Sequence, residues 1–386
     1  MGKSHQKEKS FMNKYVTESF AKKFYDEGCL PLSFRLGMGV DAREILKSDI
    51  KEKVRELMAF PETVYEVPKT RLLQRKDRGL YFIEKYEIST EPDLFMTFLL
   101  LVPKTALEKK NAPAVLCAPG TLWTKEALAG EDFWDLTYEP AQPVIGLAHR
   151  YYYANAMARH YAERGIVALA CDDLGVGEHK GELSPMDLEK LLIGLGRSVM
   201  GITVELRLAM VKFLRSLPYV DGDRIALSGH SLGVDSLMHV AVLDGNIAAF
   251  VYNDFICDWK ERISHICPPE PVPTNNWHMY PGVYRYYSYP DLLASLAPMP
   301  LFITEGGRTE YLEKLKALYA EVGAGENFRY DYYPDYENAA DRIHDGEPLK
   351  MRMSGEEYLE YSNVNAPKHF FKFETAAPWL ADVLKP

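Results

Sequence analysis

The 386-residue chain carries only five cysteines, Cys29, Cys117, Cys171, Cys257 and Cys267, and none stands in a CxxC or CxxH spacing. An odd number without ligand spacing argues against a disulfide scaffold or a zinc cluster; Cys117 and Cys171, inside apolar runs, are expected to be reduced core filler. No stretch of about 18 apolar residues is present, which is the length a helix needs to cross a bilayer. Dense Lys/Arg runs are missing apart from KSHQKEK near the start, and the net charge of -10 opposes nucleic acid or an anionic membrane as partner. The opening MGKSHQKEKSFMNKY puts charge where a secretory signal needs an apolar core, which predicts a cytoplasmic location. Neither HExxH, an EF-hand loop, GxxxxGKS nor GxxxxGKT occurs, so no metal and no other cofactor is expected.

What is present is an ordinary soluble composition, 47% hydrophobic and 26% charged, long enough for one large α/β domain with an appendage or for two domains. Up to about residue 75 the apolar spacing is helical. Asp41 is placed to cap a helix whose Ile45, Leu46, Ile50, Val54, Leu57 and Met58 form one face, and Met12 to Tyr25 behaves similarly, stopped by Gly28. From Leu80 the pattern changes. YFIEKYEIS and LFMTFLLLVP predict two neighbouring strands, and PAVLCAPG, IVALACDD, RIALSG, AAFVYND and PLFITEGG follow as short apolar runs, each stopped by Gly, Pro or Asp. Helical stretches lie between them. Apolar runs without alternation, separated by helices, predict a mostly parallel sheet covered on both faces.

One junction in this alternation carries chemistry. Gly229-His230-Ser231-Leu232-Gly233 sits between an apolar strand and an amphipathic helix. G-x-S-x-G at such a junction forces the serine into a sharp turn that exposes its hydroxyl, and the two glycines permit the close backbone approach. The free N–H groups of the following helix favour negative charge developing there.

From Leu80 to Pro386 the chain resembles the α/β-hydrolase superfamily, with segments agreeing in order. PAVLCAPGT is similar to its strand and oxyanion loop, GIVALACDDLGVGE to the strand and turn that follow, and GHSLG to its nucleophile elbow. YPDLLASLAPMPLFITEGG resembles the approach to the acid-bearing strand, most like the acetyl xylan esterase and dienelactone-hydrolase-like branch. The resemblance implies an α/β-hydrolase fold: a mostly parallel central sheet flanked by helices. It would comprise an N-terminal helical extension over 1–75 and a catalytic domain over 76–386, with lid-like insertions at 260–290 and 334–367.

It also implies a chain order of nucleophile, acid and histidine. A serine hydroxyl needs a neutral imidazole to take its proton and a carboxylate to orient that imidazole. His369, just before a final amphipathic helix, is the expected base, with His344 as the alternative; His239 is expected to pack. The acid is expected at Glu305, at the tip of PLFIT, or at Glu310, three residues past Gly307. Oxyanion donors are expected at the N–H of Leu232 and at Thr121 or Leu122. Asp172 and Asp173 are expected to hold their turn together. Trp123, Trp277, His278 and Tyr280, among other aromatics of the insertion, are expected to line the substrate pocket.

These features imply a serine esterase acting on a small-molecule ester through an acyl-enzyme, with a carbohydrate or natural-product acetyl ester as substrate and a homo-oligomer open as the assembly. An oligopeptidase-like peptidase is the alternative, weakened because no propeller-like repeat precedes the hydrolase region. A catalytically silent binding protein on the same fold is the other.

Overall fold

The computed structural model describes residues 30–61, 67–121, 123–131, 153–258, 261, 278–350 and 352–386. The expected helix at Met12–Tyr25 lies outside these residues.

Nine strands form one sheet: β1 Lys69–Asp77, β2 Tyr81–Glu91, β3 Leu94–Pro103, β4 Ala112–Ala118, β5 Val167–Cys171, β6 Val220–His230, β7 Ala249–Asn253, β8 Leu301–Ile303 and β9 Phe328–Tyr330. Their order is β1-β2-β3-β5-β4-β6-β7-β8-β9. The first three pair antiparallel, β3 joins β5 antiparallel, and every pairing from β5 to β9 is parallel.

The physical reason is in the side chains. β5 and β7 are buried at every position, so both faces must be covered, and parallel strands with helical crossovers provide that. Alternate residues feed two cores. Ala114, Leu116 and Ala118 of β4 pack on one side with the helices Val40–Leu57, Val199–Ser216, Leu232–Asp244 and Thr309–Glu321. Val115 and Cys117 pack on the other with Met157–Ala162 and Phe373–Val383. Cys117 and Cys171 are buried free thiols in these layers.

Two expectations about the N-terminal part need correction. Gly39, not Asp41, occupies the cap of helix Val40–Leu57, and Asp41 lies within its first turn. Lys69–Asp77 is a strand rather than helix: it is the sheet's terminal strand and buries none of its residues, so no apolar alternation marks it. Among the described residues no helix is long and apolar enough to cross a membrane.

Candidate active site

The parallel strands end at one rim, and the sharpest turn there follows β6. Ser231 joins β6 to helix Leu232–Asp244 with φ 50° and ψ -125°, in the left-handed range that a side chain disfavours. Its N–H donates to the Asn253 carbonyl at 3.1 Å, and its carbonyl accepts from the Val234 N–H at 2.9 Å. The flanking glycines are steric necessities. A Cβ on Gly233 would stand 2.5 Å from the Ala118 carbonyl oxygen, and one on Gly229 would stand 2.8 Å from the Val234 nitrogen. Gly120, in the loop after β4, lies over the turn: a Cβ there would meet His230 Nδ1 at 2.7 Å and Ser231 Cβ at 3.3 Å.

His369 reaches the same place from the loop before the last helix. Its ring lies 4.6 Å, centroid to centroid, from the ring of His230, the residue preceding Ser231. Nδ1 of His369 donates to Glu305 Oε2 at 2.5 Å. With Nδ1 so engaged, the neutral ring carries its lone pair on Nε2. Glu305, two residues past β8 and fully buried, also accepts from the Tyr333 hydroxyl at 2.7 Å and from Lys372 Nζ at 2.5 Å. Asp254 Oδ1, just past β7, lies 4.0 Å from His369 Nδ1.

Charge and burial set the protonation states. Burial alone would raise the Glu305 pKa, but the charges of His369 and Lys372 and the His369 hydrogen bond overcome it and hold the carboxyl well below the usual range. For His369, burial would lower the pKa, and the Glu305 charge and hydrogen bond reverse this, leaving the imidazole more basic than usual. Asp254 is pushed up to about 7 by burial, against the pull of His369 and with a push from Glu305. His230 is driven well below its ordinary value, by burial first and the adjacent His369 second, and so is neutral.

The loop after β4 is held from behind. Lys125, fully buried, donates through its backbone N–H to Asp172 Oδ1 at 2.6 Å and through Nζ to Asp172 Oδ2 at 2.7 Å. The same Nζ lies 3.0 Å from Glu126 and 2.8 Å from Glu178. Burial would lower the Lys125 pKa, yet these three carboxylates raise it. Burial would raise the Glu178 pKa, but the Lys125 charge and the hydrogen bonds from Lys125, Lys85 and Thr97 together lower it to about 2, whereas His179 is lowered to about 4, chiefly by burial. Asp173 pairs instead with buried Arg207 at 2.5 Å.

Among the described residues two groupings have metal-ligand spacing, His230–Glu305–His369 and Asp172–Glu178–His179. Neither fits an ion as it stands. The Lys125 ammonium is bonded to Asp172 and Glu178 in the second. Lys372 and Tyr333 already occupy Glu305 in the first, and His369 Nδ1 is committed to the same carboxylate.

The remaining expected residues divide. Leu232 opens the elbow helix and is buried, Thr121 stands half-buried in the loop after β4, and Trp123 N–H donates to the Gly120 carbonyl at 3.0 Å. Leu122 and Trp277 lie outside the described residues. Glu310 is not near His369: its Oε1 takes the Arg308 guanidinium at 2.7 Å, at the start of helix Thr309–Glu321. His344 stacks on Tyr361 at 3.9 Å and binds Glu347 at 3.0 Å, remote from the serine turn in its partners. Tyr280, expected to wall the pocket, is instead an anchor, 3% exposed, with its hydroxyl on His239 Nε2 at 2.7 Å and on Tyr287. His278 is likewise buried, with Nδ1 on Asp235 of the elbow helix. His239 packs in the core as expected.

Sequence reasoning missed Lys372, Tyr333, Asn253 and Asp254. Asp254 had a signal, a carboxylate ending the apolar run AAFVYND; the other three had none, since their partners are far away in the chain.

The Abhydrolase family profile matches residues 20–382. Among solved structures, a Bacteroides fragilis protein assigned as an acetyl xylan esterase is similar with a TM-score of 0.86 and 27% identity, over 98% of this chain and 97% of its own. A glucuronoyl esterase from Solibacter usitatus has a TM-score of 0.59 and 13% identity, over 93% of this chain and 98% of its own. One from Teredinibacter turnerae has 0.53 and 14%, over 80% and 86%. The last two likenesses show the fold alone. No curated protein matches the chain.

Proposed function

The chain belongs to the Abhydrolase family and is a hydrolase, and on that premise we propose that it cleaves carboxylic esters through an acyl-enzyme on Ser231, with His369 as base and Glu305 as its orienting acid. The observation that carries this reading is the pairing of half-buried His369 with fully buried Glu305, brought against His230 beside a serine in a strained, glycine-flanked turn. Glu310 has its carboxylate on Arg308 instead, which favours Glu305 as the acid.

In this mechanism Nε2 of His369 takes the Ser231 hydroxyl proton as Oγ attacks the ester carbonyl carbon. The oxyanion of the tetrahedral intermediate is received by the N–H of Leu232 and a second N–H, from Thr121 or Leu122; each such donor contributes roughly 3 kcal/mol in comparable sites. His369 returns the proton to the departing alcohol. Water, deprotonated by the same imidazole, then releases the acid and restores Ser231. Glu305 stays ionised throughout and stabilises the imidazolium.

For the substrate, the likeness to the Bacteroides fragilis protein assigned as an acetyl xylan esterase supports an acetylated carbohydrate. The test compares wild type with Ser231→Ala on p-nitrophenyl acetate and on acetylated xylo-oligosaccharides. The alanine variant is expected to lose on the order of 10³-fold or more in kcat. Near-normal turnover without the hydroxyl would rule the reading out, and turnover of the aryl ester alone would remove the carbohydrate assignment.

A further inference from the structure

The segment KHFFKFE places a second lysine three residues after His369, and the fold turns it back on the site. An ammonium has three protons. Those of Lys372 go to Glu305 Oε1 at 2.5 Å, to the Lys368 carbonyl at 2.6 Å and to the Phe370 carbonyl at 2.8 Å. The two carbonyls flank His369, so one cation grips both sides of the imidazole's own backbone and the far oxygen of its carboxylate. The ammonium also lies over the rings of Phe370 and Tyr333, at 4.3 and 4.9 Å from their centroids. Its backbone is tied down as well. Asn253 Oδ1 accepts the Lys372 N–H at 2.7 Å, while the Asn253 carbonyl receives the Ser231 N–H.

We propose that Lys372 is a positioning residue of the site, a cationic clasp that fixes Glu305 against His369 and keeps the imidazole neutral enough to act as a base. The inference rests on the proposed roles of Ser231, His369 and Glu305. Four groups face the His369 ring: Glu305 past β8, Asp254 past β7, His230 at the end of β6, and Lys372 from its own loop. Glu305 and Asp254 favour its protonated form, and His230 is neutral. Lys372 is the cation that opposes protonation there. Glu305 paired with His369 alone would raise the imidazole pKa further and leave its second oxygen buried without a donor.

The experiment measures kcat/KM for p-nitrophenyl acetate from pH 5 to 9 with the full chain, as wild type, Lys372→Gln and Lys372→Arg. Activity is lost as pH falls through the His369 pKa, so the acid limb reports that group. Lys372→Gln keeps hydrogen-bond donors but no charge. Its acid limb is expected to move up by about one pH unit, with kcat at pH 7 down by roughly tenfold and KM changed little. Lys372→Arg, which keeps the charge, is expected to retain the wild-type limb. Lys372→Met, which keeps the stem against Tyr333 and Phe370, gives the same readout if the glutamine variant does not fold. A neutral variant whose acid limb coincides with that of wild type overturns the inference, as does an arginine variant shifted as far as the neutral ones. Ester turnover that Ser231→Ala leaves intact defeats the underlying mechanism instead, so the two failures are separable.

Discussion

Ser231 holds a backbone conformation that a residue with a Cβ adopts at a cost of about 1–3 kcal/mol. The turn survives because its surroundings over-determine it: two backbone hydrogen bonds hold Ser231, and glycines stand wherever a Cβ would meet a carbonyl or amide at under 3 Å. Replacing the serine by glycine removes both the hydroxyl and the strain. Ser231→Gly is therefore expected to be more stable than Ser231→Ala by about 1 kcal/mol in urea unfolding, despite the usual entropic penalty of glycine, while both lack ester turnover. Equal midpoints for the two variants would show the turn to be relaxed.

At the scale of elements, the segment after β4 is fastened by charge as well as by the packing of Leu128 and Ala129. Lys125 begins the short helix Lys125–Ala129 and joins it to Asp172 past β5 and to Glu178 beyond. Lys125→Met would leave Asp172 buried without its ammonium partner, while Glu178 keeps Lys85. Breaking such a pair costs about 3–5 kcal/mol, and that loss in unfolding free energy, with a fall in kcat as the loop loosens, is the expected result. A variant unfolding at the wild-type urea midpoint would mean that the cluster is dispensable.

Strands β4 to β8 were readable in the sequence because burial on both faces leaves unbroken apolar runs, and GHSLG was readable because only glycine fits beside the serine. β1 was not, since Lys69–Asp77 buries none of its residues and carries no periodic apolar signal. Glu305, at the strand tip, was the expected acid with Glu310 as the alternative, and nothing in the sequence announced that the Glu310 carboxylate lies on Arg308. Asn253 and Lys372 join across 119 residues through hydrogen bonds, which leave no periodicity. An aromatic in an insertion gives no sign of its partners, so the bond of the Tyr280 hydroxyl to His239 was not legible.

For the whole molecule, stability in acid draws on two depressed carboxylates, while Asp254, raised by burial, acts the other way between about pH 7 and the ordinary carboxylate range. Glu178 has a folded pKa of about 2 against 4.5 ordinarily, and Glu305 is also lowered. A carboxylate lowered in the fold contributes stability that is present above its unfolded pKa and is lost as pH falls through its folded one. Unfolding free energy is thus expected to drop between pH 4.5 and 2, by up to about 1.4 kcal/mol per pH unit for each such group. Urea titrations at pH 5, 4 and 3 check this, and Glu178→Gln is expected to show a shallower decline. An identical slope in that variant would contradict the pairing with Lys125.

The sheet ends at β1, and four of that strand's nine residues, Lys69, Arg71, Arg75 and Lys76, are basic. Two copies meeting edge to edge would bring these cations together at strand spacing, about 4.8 Å. Long charged side chains along an outer strand, here with Arg71 and Arg75 paired to Glu87 and Glu84 of β2, blunt a ladder that could otherwise template fibre growth.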